Sequence, residues 1–240
     1  MAKHNYWFLP FIKSMSLALV AILFTNIAQV CHCFDLTMSS VGNTAKKAQF
    51  VTNKMCPFAQ KAWIALETSK TPFTMEEISL YGANGKPSWF LKLNPAGTVP
   101  VLNIDDGATV IPDSELILEY ISREDNEMTR SYDRNDAQLT LKIKAWRKNV
   151  SEKIIPIGKR AVLGGSTEPL NKLLAELDEN VEGPFLCGDS ITAADCCAFP
   201  FIWRIDQEFG VDGKIKEWLD VCEKEDAFKK TIQRSWWWWW

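Results

Sequence analysis

A cysteine stands directly before a proline at Cys56-Pro57, and the stretch that follows, "PFAQKAWIALETS" (57–69), carries a helical pattern. A free thiol has a pKa of about 8.5, so at neutral pH it is mostly protonated and a slow nucleophile. At a helix start the unpaired backbone N–H groups and the positive end of the macrodipole favour the thiolate. Pro57 has no N–H, so the amides open to the sulfur are those of Phe58 and Ala59. The residues alone leave two readings, a small side chain that caps a turn or a nucleophile placed where its pKa falls.

Two further stretches could hold a ligand. In "NPAGTVPVL" (94–102), Pro95 and Gly97 mark a turn and Pro100 interrupts the start of a strand pattern. A cis Val99–Pro100 bond would leave the Val99 N–H and C=O turned outward for an extended peptide; a strand that simply begins after Pro100 is the alternative. In "PDSELILEY" (112–120), Asp113 and Ser114 bring a carboxylate, a hydroxyl and free N–H groups to a helix start. Such a corner can take both the ammonium and the carboxylate of a small peptide, and it is equally an ordinary cap with Ser114 in the capping place.

Composition removes other chemistries. The two histidines, His4 and His32, lie in the first 33 residues, so the body of the chain has no histidine base or ligand. Ser-His, Cys-His and His-rich metal sites are thereby excluded. The seven cysteines (31, 33, 56, 187, 196, 197 and 222) include no C-x-x-C pair, which argues against a zinc ribbon or a dithiol motif. Cys196 and Cys197 sit in an apolar helical run, where inert buried thiols are expected. With 27 basic and 30 acidic residues interspersed to a net −3, there is no basic face for nucleic acid.

The elements that must position these residues form two blocks. From 48 to 122 short strands alternate with helices: strand "AQFVTN", helix 57–69, strand "PFTMEEISL", a short helix near 87–93, strand "TVPVLNI", a tight Asp105-Asp106-Gly107 turn into "ATVI", and helix "DSELILEYISR". In the first helix Phe58, Ala62, Ala65 and Leu66 recur at core-facing spacing, with Pro57 at the first helical position. The order βαβ, α, ββα makes a compact α/β module. After about residue 126 only helical periodicity remains, joined through the polar linker "SREDNEMTRSYDRND". Thr192 and Asp195 form a capping pair before an apolar helix that Pro200 should kink or shorten.

Together the pieces are more specific than any one. A strand, C-P-F-A at a helix start, K-P-S-W-F, N-P-A-G-T-V-P-V-L and D-S at a helix resemble the glutathione transferases over residues 46–232. The likeness is greatest to their cysteine-type omega, lambda and dehydroascorbate-reductase classes, and "FLCGDSITAAD" looks like the start of a helix in their C-terminal domain. The resemblance implies a thioredoxin-like βαβαββα domain (46–123) followed by an all-helical domain (124–234), with glutathione as co-substrate and no metal. By the same resemblance Cys56 would be the catalytic thiol and Phe58 would line the glutathione site. Lys86 would pair with a glutathione carboxylate, Val99 before cis Pro100 would bond the cysteinyl backbone, and Asp113 and Ser114 would take the γ-glutamyl end. Asp113 stands where many relatives carry Glu, which puts the geometry there in question. Ala59 occupies the place of a resolving cysteine, so the cycle would be monothiol, with a small electrophile or mixed disulfide as second substrate. A conjugating transferase and a non-catalytic carrier or chloride-intracellular-channel-like protein are the alternatives.

The ends are read separately. Residues 1–45 are read as a leader: a basic start, the apolar run "MSLALVAILFTNIAQV" (15–30), small residues at "CHC" and a polar stretch that runs on to Lys46-Lys47 just beyond it. The run is short for a membrane span and suits a signal-peptide core. A secretory signal, a bipartite plastid leader and a retained anchor are the readings; a start at Met38 would leave the chain cytoplasmic. With the leader removed, membrane association is not expected, and the family habit is a homodimer, with a monomer as the alternative. The sequon Asn149-Val150-Ser151 matters only if the chain folds in the endoplasmic reticulum. The tail "WWWWW" (within 235–240) reads as an expanded repeat or an appended remnant, and alternatively as a membrane-interface anchor. Trp146, Phe201 and Trp203 could line an acceptor site or simply fill the core.

Overall fold

The computed structural model describes residues 48–80, 85–124, 126, 128 and 136–233. The leader, the linker centre and the Trp tail lie outside the described residues. Four strands, β1 (Ala48–Thr52), β2 (Phe73–Glu77), β3 (Val101–Ile104) and β4 (Thr109–Pro112), form one sheet in the order β2-β1-β3-β4. β1 pairs parallel with β2 and antiparallel with β3, which pairs antiparallel with β4. The parallel pair needs a crossover, supplied by α1 (Pro57–Ser69); the antiparallel pair is closed by the short turn Asp105–Gly107. Asp105, Asp106 and Gly107 all have positive φ there (52°, 54° and 103°), a conformation that Asp and Gly tolerate best.

Side chains alternate across the strands, and both faces are covered. Phe50 and Leu102 point into the main core with Ala62, Ile64 and Leu66 of α1 and Ile117, Leu118 and Ile121 of α3 (Ser114–Arg123). Val51 and Val101 form a second cluster with Ile78, Val99 and Phe90 of α2 (Ser88–Leu93), and Cys56 packs against its edge.

The second block is helical: α4 (Ala137–Asn149), α5 (Ile155–Val162), α6 (Glu168–Asp178), α7 (Ala193–Phe209), α8 (Gly213–Cys222) and α9 (Asp226–Lys229). One turn of π-helix, Val150–Ile154, joins α4 to α5, where Pro156 withholds the N–H that Glu152 would otherwise accept. The expected capping box opens α7: Thr192 Oγ1 accepts the Ala194 N–H at 3.2 Å, and Asp195 accepts the Thr192 N–H at 2.8 Å. Asp195 is fully buried and also takes the Leu186 N–H and Trp218 Nε1, at 2.8 and 2.9 Å, so one carboxylate knits three segments. Pro200 does not shorten α7, which runs unbroken over 17 residues. Trp146, Phe201 and Trp203 are buried, so they belong to the core.

Candidate functional site

Asn53 ends β1 and shapes the loop before the cysteine. Its Oδ1 accepts the Met55 N–H at 3.1 Å while its Nδ2 donates to the Ile78 carbonyl at 3.0 Å. The Cys56 N–H donates to the Asn53 carbonyl at 3.0 Å, and Cys56 becomes the N-cap of α1 with Pro57 in the first turn. The sulfur makes no capping hydrogen bond of normal geometry, so the nearby amides act on it as oriented dipoles.

The expectation that the helix start alone would depress this pKa is corrected here. Burial pushes the Cys56 thiol above its ordinary value; the Ala59 and Phe58 amides and the Arg204 guanidinium pull it down without prevailing. The sulfur is half-buried against the second core cluster, and the cost of desolvating a thiolate outweighs two amide dipoles and one cation.

Arg204 was not legible as part of this site. It comes from α7, is 2% exposed, and donates through Nη1 to Gln60 Oε1 at 2.6 Å and to the Pro200 carbonyl at 2.7 Å. Its Nη2 donates to the Met55 carbonyl at 3.4 Å, one residue before the thiol. Gln60 is oriented in turn by its Nε2, which donates to Thr231 Oγ1 at 3.1 Å. Burial lowers the Arg204 pKa to about 10, and the charge of Cys56 opposes that shift. The available signal was a lone arginine on the otherwise apolar "DCCAFPFIWRID" helix.

The three ligand-type segments meet at one end of the sheet. Val51 pairs with Val101 and Val101 with Pro112, which sets the end of β1, the start of β3 and the end of β4 side by side. The Val99–Pro100 bond is cis, and β3 begins at Val101, so both sequence readings of that proline hold together. The Val99 N–H and C=O bond to none of the described residues. The Asp113 N–H donates to the Pro100 carbonyl at 3.3 Å and ties the two corners to each other.

Asp113, not Ser114, is the helix cap: its carboxylate accepts the Glu115 N–H at 2.7 Å and the Leu116 N–H at 3.4 Å. The backbone at Asp113 turns to φ 76°, a strained setting for a residue with a Cβ. Ser114 is the first helical residue and is buried. Lys86 lies over the Pro95–Gly97 turn, and a Cβ at Gly97 (φ 65°) would stand 3.1 Å from its Nζ, so glycine leaves room for this lysine as well as for the turn. Phe58 is 37% exposed and departs from the core-facing stripe expected of it; it meets Phe201 of α7 edge to face at 5.2 Å. No cluster of three or more metal-type ligands occurs among the described residues.

The comparisons with known proteins bear on this arrangement. The family model "Glutathione S-transferase, N-terminal domain" matches residues 55–124, and "Glutathione S-transferase, C-terminal domain" matches 158–222. The chain is 33% identical over 157 residues to the probable glutathione S-transferase DHAR1, cytosolic, of Oryza sativa subsp. japonica, covering 62% of this chain and 67% of that one. It is 29% identical over 168 residues to glutathione S-transferase DHAR3, chloroplastic, of Arabidopsis thaliana, covering 68% and 61%. The chain thus spans about two thirds of the length of these relatives. Among solved structures, glutathione transferase Omega 3C from Trametes versicolor superposes with a TM-score of 0.67 at 21% identity, over 79% of this chain and 90% of that one, which shows a shared fold.

Proposed function

The chain belongs to the glutathione transferase superfamily, and we propose that within it the protein acts as a glutathione-dependent thiol transferase or reductase with Cys56 as its single nucleophile. One observation carries this reading: Cys56 caps α1 at the sheet end where the cis Val99–Pro100 corner and the Asp113–Ser114 corner also lie, and residue 59 is alanine. Glutathione would lie extended across that end. Val99 would meet its cysteinyl backbone, Asp113 and Ser114 its γ-glutamyl end, Lys86 its glycyl carboxylate, and Phe58 would wall the side toward α7.

The chemistry is thiol–disulfide exchange. The Cys56 thiolate attacks the glutathione sulfur of a glutathionylated substrate; the Cys56–glutathione bond forms and the substrate thiolate leaves. With dehydroascorbate, the Cys56 thiolate adds to a carbonyl carbon; a glutathione thiolate then attacks the Cys56 sulfur, the Cys56–glutathione bond forms, the carbon–sulfur bond breaks and its electron pair leaves with ascorbate. A second glutathione thiolate attacks the glutathione sulfur of the mixed disulfide, oxidised glutathione departs, and Cys56 returns as thiolate. Desolvation that raises the Cys56 pKa makes its thiolate the stronger nucleophile and the poorer leaving group. Arg204 offsets the second effect, because its buried charge favours the departing thiolate.

The test is glutathione-dependent reduction of dehydroascorbate and of a glutathione mixed disulfide by the full chain, with and without Cys56→Ser. Loss of both activities in the variant is the expected result; both activities intact would sink the reading. The leader is read as a signal for the secretory pathway, supported by the apolar run at 15–30. An N-terminus at Met1 in protein recovered from cells would refute cleavage.

A further inference from the structure

We propose that Glu115 is a positioning residue for the glutathione-binding corner: it fixes Asp113–Ser114 relative to the helix that carries Cys56. This rests on the glutathione reading above and extends it to a residue that the reading does not use.

Glu115 directly follows Ser114. Its backbone amide is held by the Asp113 carboxylate at 2.7 Å, so the corner and Glu115 move as one unit. Its side chain is the meeting point of three other helices. Lys61 of α1, only 2% exposed, gives its ammonium to Oε1. Arg147 of α4 places two donors on Oε2, Nη2 at 2.7 Å and Nε at 3.0 Å. Cys197 of α7 donates its thiol to Oε1 at 3.5 Å. Burial pushes the Glu115 carboxyl up, but Lys61 and Arg147 outweigh it and hold the group below the usual carboxylate range.

Lys61 lies five residues along from Cys56 on the same helix. The Lys61–Glu115 pair therefore links the helix that presents the thiol to the helix start that would hold the γ-glutamyl end. Removing charges from water costs about what their attraction returns, so apolar side chains could join α1 to α3 equally well. What they could not supply is direction: a carboxylate gripped on one oxygen by α1 and α7 and on the other by a guanidinium has a single orientation. Ligand groups need placement within a fraction of an ångström, and supporting residues behind them provide it.

The experiment measures glutathione affinity by titration calorimetry on the full chain under reducing conditions, with the melting temperature and the rate of Cys56 alkylation by iodoacetamide for each protein. Lys61→Arg keeps the ion pair and should bind within about twofold of wild type. The double variant Lys61→Met/Glu115→Gln removes one charge of each sign and leaves Arg147 an amide oxygen and the Glu119 carboxylate; its affinity should fall about tenfold with the alkylation rate held, measured below the melting temperature of each protein. Glu115→Asp keeps the charge but shortens the reach, and should weaken binding even if the double variant fails to fold. Wild-type affinity in either the double variant or Glu115→Asp overturns the proposal. So does a loss in Lys61→Arg as large as in the double variant. No binding by the wild-type chain would instead strike the glutathione reading itself, and this proposal with it.

Discussion

Arg204 and Met55 are joined across the two halves of the chain: the guanidinium Nη2 of the helical half donates to the carbonyl of the residue before Cys56 at 3.4 Å. This bond brings a buried positive charge to the thiol from outside the α/β module, and burial otherwise raises the thiol's pKa. The helical half thus bears on the pKa of this thiol through one buried charge.

The first prediction concerns that charge. Arg204→Met removes a group that lowers the Cys56 pKa, so the pH profile of iodoacetamide alkylation should move to higher pH and the rate at pH 7 should drop. An unmoved profile would show that the guanidinium serves packing alone.

Asp113 is both a cap and a candidate ligand group, and Asp113→Asn separates the two. The amide oxygen can still accept the Glu115 and Leu116 N–H bonds, and Asn tolerates the positive φ of 76°, so stability should change by less than about 0.5 kcal/mol. The lost charge should raise KM for glutathione with little change in kcat. A wild-type KM would remove Asp113 from the binding corner.

A third prediction is structural. Asp195 holds four donors, the Leu186 and Thr192 amides at 2.8 Å and Thr192 Oγ1 and Trp218 Nε1 at 2.9 Å, in a fully buried setting. Asp195→Ala strands them and should cost about 3 kcal/mol by urea denaturation. A loss below about 1 kcal/mol, the value of an exposed cap, would mean that the interior relaxes around the gap.

The buried thiols set the alkaline limb of stability. Burial pushes Cys187 and Cys197 up to about 12. Folded pKa values above the unfolded value give stabilisation that is complete below about 8.5 and lost as pH rises from there toward the folded value. The free energy of unfolding should therefore be lower at pH 10 than at pH 7.5, and a flat profile would contradict the burial argument.

The sequence carried the fold because each element had a local reason. Pro57 at a helix start, the Asp105-Asp106-Gly107 turn and the Thr192–Asp195 box act within a few residues, and the structure places each of them as those rules require. The candidate site was legible only where it is written in short contiguous stretches, at 56–58, 86–90, 99–100 and 113–114. Arg204, Gln60 and the Lys61–Glu115–Arg147 cluster were not, because these partners lie from 32 to 171 residues away along the chain and no local pattern pairs them. The pKa of Cys56 was misjudged for a related reason. The helix dipole can be read from "CPFA", but burial depends on Val51, Phe90 and Val99 packing beneath the thiol.

The central claim is that Cys56 alone carries glutathione as a mixed disulfide. It is tested most directly by intact-mass and peptide mass spectrometry of the full chain after exposure to oxidised glutathione. The account predicts one glutathionyl group on Cys56, released by excess reduced glutathione and absent from Cys56→Ser. A stable adduct on another cysteine with Cys56 left free, or full turnover by Cys56→Ser, would contradict it.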